Sequence, residues 1–100
     1  MEQRITLDAV KKAIDECDNL GETTFLKNYG FGRSTRYLLE YDKNDYASKA
    51  IYGVAYGHVN LKKGKPTPLK WNEFKGGKKL VVPELERLNL KIKKIYPPGS

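Results

Sequence analysis

The sequence predicts a single small α+β domain: N-terminal helices, a small antiparallel sheet, and a late helix followed by a C-terminal strand. Three observations predict it. A chain of 100 residues is one domain's length, and 39% hydrophobic residues are enough for one core. Apolar residues recur at helical spacing near both ends, whereas the middle holds a run of strand formers followed by turn residues. Leu90-Lys91-Ile92-Lys93 then alternates as a final strand. The module is expected over residues 1–96, with Pro97-Pro98-Gly99-Ser100 as a linker-like tail.

Thr6 is suited to N-cap the first helix, and Asp8 favours its positive end. Leu7, Val10, Ile14, Cys17 and Leu20 fall on one stripe, so a helix is expected over about 7–20, with Gly21 just beyond its end. Cys17 on that stripe reads as a small buried hydrophobe rather than a reactive thiol. Glu22 to Asn28 makes a short second helix with Phe25 and Leu26 as its apolar contacts, ended by Tyr29-Gly30-Phe31-Gly32. Tyr37-Leu38-Leu39-Glu40-Tyr41 is rich in strand formers, Asp42-Lys43-Asn44-Asp45 is turn chemistry, and Tyr46-Ala47 pairs back. Ser48 is the expected N-cap of a third helix, with Ala47, Ala50, Ile51, Val54 and Ala55 on one face. Its Gly53 and alanines make it thin enough to pack closely on a neighbour. Asn60 to Gly77 shows no periodicity and is expected as a long loop, a kind usually functional or disordered. Leu80, Val81, Leu85 and Leu88 return to helical spacing, with Pro83 confined to the first turn.

Charge is distributed unevenly. Residues 1–59 hold 8 basic and 9 acidic side chains, and residues 60–100 hold 11 basic and 3 acidic, so the net +7 resides in the last part of the chain. Such a block suits a polyanion and carries no information about fold. No apolar run is long enough to span a membrane, and Met1-Glu2-Gln3-Arg4-Ile5 is not an apolar leader. A single cysteine fits a reducing cytoplasm, and single copies of Cys and His exclude a Cys/His zinc cluster. No metal or other cofactor is expected, and no membrane partner.

No catalytic constellation stands out, and the chain is not expected to be an enzyme. His58 is the only histidine, and after Gly57 at a helix end it reads as a cap or an exposed ring. Gly64-Lys65-Pro66 is not a phosphate-binding P-loop, and Gly30-Phe31-Gly32 lacks the third glycine of a dinucleotide fingerprint. Asp15 and Glu16 are adjacent and point to different helix faces, and Asp42 and Asp45 belong to a turn.

The basic constellation is stronger. Lys62, Lys63, Lys65, Lys70, Lys75, Lys78 and Lys79 surround Trp71 and Phe74. Ammonium groups pair with phosphates, and an aromatic ring can stack on an unpaired or flipped base. Gly76-Gly77 at a helix start would bring backbone N–H groups to a phosphate. Phosphate contact is the favoured reading of the lysines over a merely solvated loop. For Trp71 and Phe74, anchoring in the core is favoured over stacking. Arg33 and Arg36 either bind phosphate or flank the hairpin, and Lys49 is either a functionally placed, half-buried cation or a side chain that snorkels to solvent. Tyr56, Trp71 and Phe74 are the candidates for the wall of a base pocket.

Five segments occur in a particular order: Thr6-Leu7-Asp8-Ala9-Val10; Phe25-Leu26-Lys27-Asn28-Tyr29-Gly30-Phe31-Gly32; Tyr37-Leu38-Leu39; Tyr46-Ala47-Ser48-Lys49-Ala50-Ile51-Tyr52-Gly53-Val54-Ala55-Tyr56-Gly57; and Phe74-Lys75-Gly76-Gly77. The series resembles the N-terminal head domain of the Streptomyces McrA-like type IV restriction endonucleases, over roughly residues 5–95. The family's last helix usually ends in Leu-Gly-Phe, where this chain has Leu88-Asn89-Leu90, and Asn89 is able to take the same left-handed conformation. The resemblance implies an accessory module of a larger protein that recognises modified DNA and cuts with a separate HNH nuclease domain. The expected function is therefore a non-catalytic DNA-binding module of a bacterial antiphage restriction system, sensing a modified base in the finer reading. Its expected partners are DNA and a fused or associated nuclease domain. The alternative is a protein-interaction or regulatory domain that docks on a nuclease or a partner subunit.

Overall fold

Thr6 is extended, and its Oγ1 accepts the Ala9 N–H at 3.1 Å, which starts α1 (Leu7–Leu20) with Asp8 in the first turn. The computed structural model describes residues 4–33, 36–74 and 79–95. The buried stripe of α1 is Ala9, Val10, Ala13, Ile14 and Cys17. Leu7 and Leu20, expected on that stripe, are 38% and 41% exposed, because packing covers the middle of the helix and leaves both ends to solvent. α2 (Glu22–Tyr29) follows directly after Gly21. It closes on Gly30 at φ 73°, and the Phe31 N–H reaches back to the Leu26 carbonyl at 2.9 Å. That left-handed ending turns the Phe31 ring into the core.

The sheet is antiparallel, in the order β2-β1-β5, with β1 (Tyr37–Tyr41) between β2 (Asn44–Ala47) and β5 (Lys91–Lys94). The expected four-residue turn narrows to Asp42-Lys43, both at positive φ, the handedness a two-residue hairpin requires. Asn44 and Asp45 instead join β2 opposite Tyr41 and Glu40. Leu39 sits opposite both Tyr46 and Ile92 and is fully buried.

β2 runs into α3 (Ser48–Val59) without a linker. Ala47, not Ser48, is therefore the N-cap, and the Ser48 hydroxyl donates to the Tyr37 carbonyl at 2.8 Å, tying the helix start to β1. Every residue from Ala50 to Gly57 is buried, so α3 is covered on all sides rather than on the single face its pattern suggests. It packs against α1, α2, the sheet and α4 (Val81–Arg87). A helix apolar all round belongs at the centre of a domain.

The stretch after α3 is not a structureless loop. It contains a small hairpin, β3 (Leu61–Lys62) and β4 (Lys65–Pro66), around Lys63-Gly64. Strands of two residues leave no alternation to detect. α4 carries Pro83 in its first turn, as expected. It ends on Asn89 at φ 63°, with the Leu90 N–H on the Leu85 carbonyl at 3.2 Å, so Asn89 does take the left-handed conformation. Arg87 Nη2 donates to the Ile5 carbonyl at 2.7 Å and pairs with Glu84, fastening the start of the chain to α4. No helix among the described residues is long and apolar enough to cross a membrane.

Candidate nucleic-acid interface

Residues 67–71 form a strap along α3. The Thr67 N–H donates to the Gly57 carbonyl and the Leu69 N–H to the Gly53 carbonyl, each at 3.1 Å. Two extended residues cover about 6.6 Å and four helical residues about 6.0 Å, so the two elements stay in step. One step further, the same register brings Trp71 to Lys49. Glycine is required because of the close approach: a Cβ on Gly57 would lie 2.6 Å from the Pro68 nitrogen, and one on Gly53 would lie 2.7 Å from the Phe31 ring.

Past the strap, the chain turns. The Glu73 N–H donates to the Lys70 carbonyl at 3.0 Å, and the Lys70 N–H donates to Glu73 Oε1 at 2.6 Å, closing the turn twice. This turn separates the two aromatics. Phe74 is 8% exposed, with its ring 5.3 Å from Tyr52 and 6.1 Å from Phe31, and anchors the segment in the core. Trp71 is 57% exposed, so the favoured core reading holds for Phe74 and fails for Trp71. The half-buried Lys49 places Nζ 5.1 Å from the Phe74 ring centre and 6.0 Å from that of Trp71.

Tyr56 is 6% exposed and packs beside Tyr52 in the core, so its ring presents little surface to a ligand. Lys62, Lys63 and Lys65 are exposed on the β3–β4 hairpin, Lys70 is exposed at the end of the strap, and Lys79 is exposed ahead of α4. Arg33 and Arg36 are exposed just ahead of β1. Arg36 is one residue from Tyr37, which holds Ser48, and α3 carries no acidic residue in that turn. Lys75, Gly76, Gly77 and Lys78 lie outside the described residues, as does the tail 97–100.

Ion pairing separates these cations from five others, though Lys11, Lys27, Lys43 and Lys94 are also without a carboxylate partner among the described residues. Lys12, Arg4 and Arg87 pair with carboxylates, and on β5 Lys91 pairs with Glu40 and Lys93 with Asp45. Among the described residues, Arg33, Arg36, Lys49, Lys62, Lys63, Lys65, Lys70 and Lys79 pair with none. The basic block read from the sequence therefore splits: its β5 portion is partly neutralised by the hairpin's acids, while the strap and its neighbours keep their charge. Lys65 is exposed on the same hairpin as Lys62 and Lys63. Sequence reasoning missed the strap itself; its signal was the four-residue spacing of Gly53 and Gly57.

No group of three or more His, Cys, Asp and Glu able to hold a metal occurs among the described residues. Burial, reinforced by the charges of Asp18, Glu22 and Glu16, pushes the Cys17 thiol up to about 11, which keeps it protonated at neutral pH. His58 is half-buried in the last turn of α3.

Fold and site together define a small α+β domain that displays unneutralised cations and an exposed indole along one strap. The family model described as ScoMcrA-like, N-terminal head domain matches residues 3–94, and the chain belongs to that family. It is also similar to part of a solved structure, that of the type IV phosphorothioation-dependent restriction endonuclease ScoMcrA, at 25% identity and a TM-score of 0.69. The match covers 97% of this chain and 14% of that one. No curated protein matches the sequence at a significant level.

Proposed function

We propose that the chain is a non-catalytic DNA-binding module of a restriction system, working in the cytoplasm beside a nuclease domain in the same or an associated polypeptide. One observation carries this reading: the strap and its hairpin hold Lys62, Lys63, Lys65 and Lys70 exposed and unpaired, whereas Lys91 and Lys93 have carboxylate partners. Phosphates would supply the missing counter-charges. In the finer reading the module senses a DNA modification. Membership in the head-domain family and likeness to a phosphorothioation-dependent enzyme support a role in modification-dependent restriction.

The test is a binding panel of plain, methylated, hydroxymethylated, glucosylated and phosphorothioated duplexes, titrated with salt. Six phosphate contacts would weaken affinity about 10³-fold between ~50 and ~200 mM salt. Absence of binding at low salt to every duplex and to a single-stranded oligonucleotide would refute DNA binding. Equal affinity across the panel would retain DNA binding and remove modification sensing.

A further inference from the structure

We propose that the exposed face of Trp71 is a stacking platform for one unpaired base of a single-stranded nucleic acid, an inference that rests on the DNA-binding reading above and adds the strand state the module takes. The backbone that carries the indole is held in place before any ligand arrives. Its turn is closed by two hydrogen bonds between Lys70 and Glu73, the strap behind it is bonded to Gly53 and Gly57, and the Lys49 ammonium lies 6.0 Å from the ring centre. Little backbone freedom remains to be lost on binding. Yet the ring is 57% exposed while the next aromatic in sequence, Phe74, is 8% exposed.

The surroundings select the occupant. Lys49 lies 6.0 Å from the ring centre and Lys70 precedes Trp71 in sequence, neither with a carboxylate partner for its ammonium, and the lysine-bearing hairpin ends five residues, at most about 16 Å, back along the strap. A single strand supplies both things that this arrangement lacks: a π-face for the indole and a run of phosphates for the ammonium groups. An intact duplex keeps its base faces stacked internally and offers only the phosphates. A protein that used Trp71 as its anchor would have to supply carboxylates for Lys49 and Lys70, since the Glu73 carboxylate of the same turn is engaged with the Lys70 N–H.

Trp71 is the sole tryptophan, so its fluorescence reports on this site alone. The chain would be titrated with fluorescein-labelled oligo-dT of about 16 nucleotides and with a blunt G·C-rich duplex of the same length, following indole emission and label anisotropy separately. Oligo-dT should quench the indole. W71A should weaken oligo-dT binding by roughly tenfold or more, W71F should restore most of it, and duplex affinity and its salt slope should stay within about twofold. Oligo-dT binding with unchanged emission, or with unchanged affinity in W71A, overturns the platform and leaves duplex binding intact. If neither DNA binds, the platform and the DNA-binding reading fall together.

Discussion

The Leu69 N–H donates to the Gly53 carbonyl at 3.1 Å, a bond from an extended segment to the side of a helix. A carbonyl has two lone pairs, so Gly53 is able to accept this bond in addition to its helical one. With the Thr67–Gly57 bond it converts what the sequence presents as a loose, lysine-rich stretch into a fixed element. Binding charges on a fixed element lose less conformational entropy than the same charges on a free loop.

Gly57→Ala should displace the strap. The added methyl would lie 2.6 Å from the Pro68 nitrogen and 2.8 Å from its Cα, both backbone atoms that cannot swing aside. A loss of about 1–3 kcal/mol in urea unfolding is expected, with weaker DNA binding. Gly32→Ala, where nothing lies within 4 Å, should stay within about 0.5 kcal/mol and serves as the control. Equal stability of the two variants would show that the strap does not bear on α3.

Asn89→Gly should raise stability by about 0.5 kcal/mol. Asn89 ends α4 at φ 63°, where glycine meets no Cβ penalty. Asn89→Val, with a branched side chain at the same angle, should lower it by more than about 1 kcal/mol. Thermal unfolding of the two variants should bracket the parent chain.

Lysines that look alike in sequence should separate by function. Lys91 and Lys93 lie 3.6 and 3.2 Å from Glu40 and Asp45, so Lys91→Ala and Lys93→Ala should change duplex affinity by less than about twofold. Lys62→Ala, Lys63→Ala and Lys65→Ala should each reduce the salt slope by about 0.9. The reverse pattern would move the interface to the sheet.

Alkaline pH should lower the stability of the fold in two steps. Burial raises Cys17 to about 11 from 9.0. Burial, with the hydrogen bond its hydroxyl donates to Asp18 at 2.8 Å, raises Tyr46 to about 12 from 10.0. Both native groups hold their protons longer than in the unfolded chain. Their contribution is therefore complete below pH 9 and is lost as pH rises, for Cys17 up to about 11 and for Tyr46 up to about 12. Cys17→Ala should delay the onset of the fall until near pH 10, where the tyrosines begin to titrate in the unfolded chain. An onset unchanged from that of the parent chain would show that the thiol plays no part.

Much of this protein is readable residue by residue, because the physics involved is local. Thr6 caps α1 through its own next turn, Gly30 and Asn89 end helices by their own backbone angles, Pro83 confines itself to a first turn, and the run Tyr37–Tyr41 pairs with its immediate successor. The ordered motifs were also enough to indicate the family. Tertiary structure decided the rest, since it depends on which distant segments meet. Only packing could send Phe74 inward and leave Trp71, three residues away, in solvent. Only pairing across the sheet could neutralise Lys91 and Lys93 while sparing the hairpin lysines, and only α3's two glycines, met by residues 67–69, could hold the basic segment as a strap. Charge and composition determined that the chain carries cations; the long-range contacts determined which of them are left without partners.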